Sequence, residues 1–94
     1  MYKVMVVDDE TDIREMLNLM MSKEGYETEM AENGEDFLEK VNVFKPDLVT
    51  LDVMMPGLTT KDILEELKDK QNKPKIILQK TLIGLGNAIK SVFQ

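Results

Sequence analysis

Apolar positions along this chain fall in short continuous runs that alternate with stretches of helical spacing. Lys3-Val4-Met5-Val6-Val7 is an apolar run stopped by Asp8, the pattern of a strand buried on both faces of a parallel sheet. Ile13, Met16, Leu17 and Met20 then recur at helical spacing, with Gly25 placed to end the helix. Tyr26, Thr28 and Met30 alternate with Glu27, Glu29 and Ala31, which predicts a half-exposed strand at a sheet edge. Asn33 is a good N-cap for a helix carrying Phe37, Leu38, Val41 and Phe44, and Pro46 prevents its continuation.

A second buried run, Asp47-Leu48-Val49-Thr50-Leu51, ends at Asp52 and leads to a Pro56-Gly57 turn signal. Thr59 or Thr60 is placed to cap a helix with Ile63, Leu64 and Leu67 on its inner face. Pro74 precedes a strand from Lys75 to Gln79, and Leu82, Leu85, Ile89, Val92 and Phe93 return to near-helical spacing. Strand and helix thus alternate four times over. That order predicts an α/β fold of three layers, a parallel sheet with helices on both faces. Ligands in such folds bind beyond the carboxyl ends of the strands. A single domain over residues 1–94 is expected, with no internal repeat or linker.

Composition narrows the function classes. The 94 residues suffice for one core, and the hydrophobic fraction of 43% supports it without Trp, leaning on eight Met residues. The absence of Cys excludes disulfides and thiol nucleophiles and fits a reducing cytoplasm. The absence of His removes Ser-His catalysis and His metal ligands. A formal charge of −6 argues against a nucleic-acid surface. No apolar run reaches bilayer length, and no signal peptide is visible, so no membrane association is expected.

Against that background Asp8, Asp9 and Asp52 stand out, each at the end of a buried run. If the first and third strands are neighbours, all three meet at one rim. Gathered carboxylates must be hydrated, protonated or bridged by a cation. A hard divalent cation suits such a set, and a carboxylate beside it can accept a phosphoryl group. The ordinary fate of an acidic residue after a strand is to cap a helix or stay solvated, and Asp9 is placed to cap the helix starting near Thr11. Asp52 is harder to dismiss, because apolar Val53-Met54-Met55 follows it.

Val6-Val7-Asp8-Asp9-Glu10 together with Leu51-Asp52-Val53-Met54-Met55-Pro56-Gly57 resembles the receiver domain of two-component response regulators. The similarity runs over roughly residues 2–79. It implies a flavodoxin-like fold, here with strand order 2-1-3-4, and a phosphorelay role in which Asp52 accepts a phosphoryl group from a histidine kinase or phosphotransfer protein. The resemblance further implies Mg²⁺ held by Asp9 and Asp52 directly, by Asp8 through water and by the backbone carbonyl of Met54. The chain is then a phosphoacceptor rather than an enzyme, cytoplasmic, signalling to a downstream protein by surface contacts.

The C-terminal part departs from that pattern. A complete receiver has five strands and five helices, and the family's lysine after the fifth strand has no counterpart here. Residues 80–94 form an atypical helical segment. The family's switch hydroxyl falls on or near Gln79, with Lys80 and Thr81 following; Lys80 is also a candidate substitute cation, although a solvated lysine is the commoner case. The last strand is left at a sheet edge, which predicts a homodimer through that edge or through exchanged elements. The alternative function is an assembly module that keeps the scaffold without efficient phosphorylation. An aspartate-nucleophile phosphatase is disfavoured, because Met54 stands where a second acid is needed. The Met16, Met20 and Met21 group reads as core packing rather than a soft-metal site.

Overall fold

In a computed structural model, residues 1–52, 60–68, 73–79 and 85–93 are described. They form β1 (Lys3–Val7), α1 (Thr11–Lys23), β2 (Glu27–Ala31), α2 (Gly34–Phe44), β3 (Leu48–Asp52), α3 (Thr60–Leu67), β4 (Lys75–Gln79) and α4 (Leu85–Phe93). The four strands make one sheet in the order β2-β1-β3-β4, and every pairing is parallel. The order expected from the sequence is the one observed.

The two central strands are covered on both faces because nearly every residue from Val4 to Val7 and from Leu48 to Leu51 is apolar, Thr50 being the one buried polar residue among them. Met5, Val7, Val49 and Leu51 pack with Phe37 and Val41 of α2 and Ile63 and Leu67 of α3. The alternate residues Val4, Val6 and Leu48 face the other way, against Leu17 and Met21 of α1 and Ile89 of α4. The period of two along each strand therefore feeds two separate cores, one on each side of the sheet.

Local chemistry sets the ends of the helices. The Asn33 side chain accepts a hydrogen bond from Asp36 N at 2.7 Å, and Asp36 Oδ2 in turn accepts from Glu32 N at 3.1 Å. The first bond satisfies a donor that the first turn of α2 leaves open, and the second ties the residue before the cap to that turn. At the other end Lys45 adopts φ 53°, and its N–H closes on Val41 O at 3.0 Å, a left-handed stop just before Pro46. Gly25 follows α1 at φ 96°, a conformation that costs glycine nothing.

Two expectations about facing residues and one about a helix cap need correction. Met16 and Met20 are 49% and 38% exposed, while Leu17 and Met21 are buried. The helix therefore buries the 13-17-21 stripe, and Met16, Leu19 and Met20 form an apolar strip on the surface. Leu64 is likewise exposed, since α3 buries Ile63 and Leu67 one turn apart. The N-cap of α1 is Glu10, with no side-chain cap bond, so Asp9 is not the cap. The first two corrections share a cause: a helix lying on a sheet buries one stripe, and adjacent apolar positions compete for it. Leu82 and the Pro56-Gly57 turn lie outside the described residues.

The last helix is fastened to the α1 side of the molecule. Phe93 stacks on Tyr2 with ring centroids 4.0 Å apart and meets Tyr26 at 5.3 Å. Lys90 Nζ reaches Glu24 Oε2 at 3.3 Å, and Ile89 is fully buried. No described helix is long and apolar enough to cross a membrane.

Candidate metal and phosphoacceptor site

Parallel registration of β1 with β3 builds the site. Val7 pairs with Leu51, so the next residue of each strand, Asp8 and Asp52, emerges at the same rim. Asp9 follows directly in the connection to α1. Among the described residues, Asp8, Asp9 and Asp52 are brought together so that one carboxylate oxygen from each lies within 4.8 Å of the others. The three aspartates singled out from sequence thus meet in space.

They do not share one environment. Asp8 is 2% exposed, whereas Asp52 is half-buried and Asp9 is exposed. Burial pushes the Asp8 carboxyl above its ordinary value of 3.8, the Glu10 N–H pulls the other way, and the charges of Asp52, Asp9 and Glu10 push it up further. That N–H donates to Asp8 Oδ1 at 2.9 Å. The Asp8 backbone is also pinned, its N–H donating to Ala31 O at 3.2 Å.

Arg14 was not singled out in the sequence. Its Nη1 donates to the Asp8 carbonyl oxygen at 2.8 Å and its Nη2 to Thr11 Oγ1 at 3.4 Å. The guanidinium therefore braces the turn between β1 and α1 that carries Asp8 and Asp9. The available signal was an arginine in the first turn of a helix that directly follows an acidic pair. Gln79 pairs in register with Asp52, which places the backbone of the switch candidate beside the phosphoacceptor candidate. The Gln79 side chain, Met54, Lys80 and Thr81 lie outside what is described.

Clustered acids make the rim unfavourable to the fold when no cation is present. A carboxyl whose folded pKa is raised holds its proton to higher pH in the native state than in the unfolded chain. The stability this provides is complete below 3.8 and is lost as pH rises through the folded value. At neutral pH the ionised Asp8 therefore opposes folding. We expect Asp8→Asn to raise the unfolding free energy at pH 7 by about 0.5–2 kcal/mol in chelator-treated buffer. The advantage should shrink as pH falls toward 4, and urea titrations at several pH values will measure it.

The donor set suits a hard divalent cation. All three groups are carboxylates, the ligand type that Mg²⁺ and Ca²⁺ favour, and no nitrogen or sulfur donor joins them among the described residues.

Comparison with known proteins gives a consistent result. The family model of the response regulator receiver domain matches residues 4–82. The response regulator protein TrrA from Thermotoga maritima, in complex with Mg²⁺-BeF, is 33% identical, with 99% of this chain and 98% of that chain covered and a TM-score of 0.81. TrrA in complex with the histidine kinase ThkA is 29% identical over 100% of both chains, with a TM-score of 0.78. The chemotaxis response regulator CheY4 of Vibrio cholerae is 26% identical, covering 96% of this chain and 79% of that one, with a TM-score of 0.75.

Proposed function

The chain belongs to the response regulator receiver domain family, and on that premise we propose that it is a Mg²⁺-dependent phosphoacceptor whose nucleophile is Asp52. The observation that carries the proposal is the convergence of Asp8, Asp9 and Asp52 within 4.8 Å at the carboxyl rim of β1 and β3. The structural similarity to a receiver seen with a histidine kinase supports a kinase, or a phosphotransfer protein, as donor. The similarity to one seen with Mg²⁺-BeF supports the metal.

In this reading Asp9 and Asp52 would hold Mg²⁺ directly, Asp8 would hold it through water, and the Met54 carbonyl would complete the protein ligands. Bound there, the cation supplies neutralisation of charge on the phosphoryl oxygens. An Asp52 carboxylate oxygen forms the new P–O bond while the donor's P–N bond breaks, the leaving imidazole nitrogen keeping the electron pair. The strand ladder fixes the backbone that carries that oxygen, since Asp52 is the last residue of β3 and is registered against Gln79. Asp8 contributes negative charge from a buried position, held by the Glu10 N–H and by the Arg14 brace on its carbonyl. Three carboxylates alone would repel a phosphoryl dianion, which is the physical reason for the metal requirement.

The domain is then a signalling module of the cytoplasm rather than an enzyme, self-phosphorylating from small acyl phosphates and passing its state to a protein target. A second reading, a scaffold retained for assembly, is favoured by one observation: no described strand covers the outer edge of β4. Intact-mass spectrometry after incubation with a small acyl-phosphate donor separates the two. We expect one phosphate adduct that requires Mg²⁺ and is absent from a chelated control. Folded protein that binds Mg²⁺ and gains no adduct would leave the assembly reading in its place.

A further inference from the structure

The sheet ends in two outer edges, and the chain treats them differently. In β2, Glu27 N donates to Tyr2 O and Ala31 O accepts from Asp8 N, so Glu27, Glu29 and Ala31 face β1. Thr28 and Met30 must then turn their backbone groups outward. Side chains occupy the Met30 pair: its N–H donates to Glu29 Oε1 at 2.9 Å and its carbonyl accepts from Lys40 Nζ at 2.7 Å. Closing an edge with charged side chains is how sheets avoid unwanted pairing.

At β4 no such closure is present among the described residues. Lys75 N donates to Asp47 O at 3.0 Å, so Lys75, Ile77 and Gln79 face β3. Ile76 and Leu78 present their N–H and C=O groups outward. The side chains at these positions are aliphatic, and Leu78 is 52% exposed.

We propose that this edge pairs with a second copy of the chain, antiparallel, about a two-fold axis at Ile77. In that register Ile76 stands opposite Leu78 of the second copy, and Leu78 opposite its Ile76, as hydrogen-bonded pairs. Every outward donor and acceptor of Ile76 and Leu78 is then used on both copies. Ile77 meets its own counterpart as the intervening pair without hydrogen bonds. Aliphatic side chains face aliphatic ones, and Lys75 lies opposite Gln79, so no like charges meet. Moving the axis to Ile76 would set Leu78 against Pro74, which has no N–H to give. The strand is thus complementary to itself, the requirement for an isologous interface. That self-complementarity, with every outward backbone group paired and no like charges opposed, points to a second copy as the occupant.

Light scattering of the full chain across concentrations tests the proposal. The unaltered protein is expected to show a monomer–dimer equilibrium. Leu78→Pro removes only the outward N–H and leaves the bonds to β3 intact; it should weaken the dimer at least about tenfold with unchanged far-UV circular dichroism. Ile77→Cys introduces a thiol into a chain that has none. Oxidation should link two copies there, because Cα atoms of such a pair stand about 4.5 Å apart. Leu78→Cys should not link, since its counterpart is offset by two residues, roughly 8 Å away. A monomer at every concentration, an unweakened folded Leu78→Pro dimer, or linkage at 78 rather than 77 overturns the proposal. If Leu78→Pro fails to fold, the two cysteine variants decide. None of these outcomes touches phosphoryl transfer, so the two readings fail separately.

Discussion

Asp52→Asn is expected to abolish the covalent phosphate adduct while leaving the fold intact. The carboxamide matches the carboxylate in shape but has no anionic oxygen to attack phosphorus, so the loss should be complete rather than partial. The same change removes one of the three ligands of the acidic set, and Mg²⁺ affinity should fall with it. The sheet should not notice, because Asp52 takes part in the ladder through its backbone, registered against Gln79. Removing its charge also removes one of the influences that push the Asp8 carboxyl upward, so the metal-free variant should be no less stable than the parent. Intact mass gives the presence of the adduct, and peptide mapping gives its position. An adduct that survives in Asp52→Asn, for example on exposed Asp9, would overturn the assignment of the nucleophile.

Phe37→Ala should cost about 3–5 kcal/mol, the range for emptying a buried phenylalanine site. Phe37 is fully buried and packs in the core that joins α2 to Met5 and Val7 of β1 and to Val49 and Leu51 of β3. A domain of this size has only about 5–14 kcal/mol in total, so the midpoint of thermal unfolding should drop by more than about 10 °C. Val43→Ala on the same helix is the control: Val43 is 84% exposed, and its replacement should stay within about 0.5 kcal/mol. Urea denaturation followed by circular dichroism measures both. A cost for Phe37→Ala close to that of Val43→Ala would mean that this side of the sheet is not packed as described.

The strands and the acidic rim were legible because each depends on a local signal. Val4 to Val7 are apolar at every position and Leu48 to Leu51 at all but Thr50, a pattern that suits a strand covered on both faces, and each run stops at an aspartate. Their meeting at one rim followed from parallel order, itself implied by the alternation of strand and helix. What stayed hidden depends on contacts between distant segments. In α1 the chain offers apolar side chains at 13, 16, 17, 19, 20 and 21, so spacing alone admits two neighbouring stripes; contact with the sheet and with Ile89 of α4 selects one. The Arg14 brace and the closure of Met30 by Lys40, ten residues apart in sequence, have no signature in periodicity or composition. Asp9 looked like a cap because residue type favours it there, but the backbone places Glu10 at that position instead.

The aromatic seam on α4 has a practical consequence for spectroscopy. The chain has no Trp and two Tyr residues, and both of those rings lie against Phe93. Its tyrosine emission therefore originates wholly where the last helix meets the start of β1 and the end of α1. Tyrosine fluorescence of the unlabelled protein will report whether α4 is docked and will be nearly blind to chemistry at the acidic rim. A change in tyrosine signal on adding a phosphoryl donor would accordingly mean that an event at one end of the sheet had been felt by a helix held at the other.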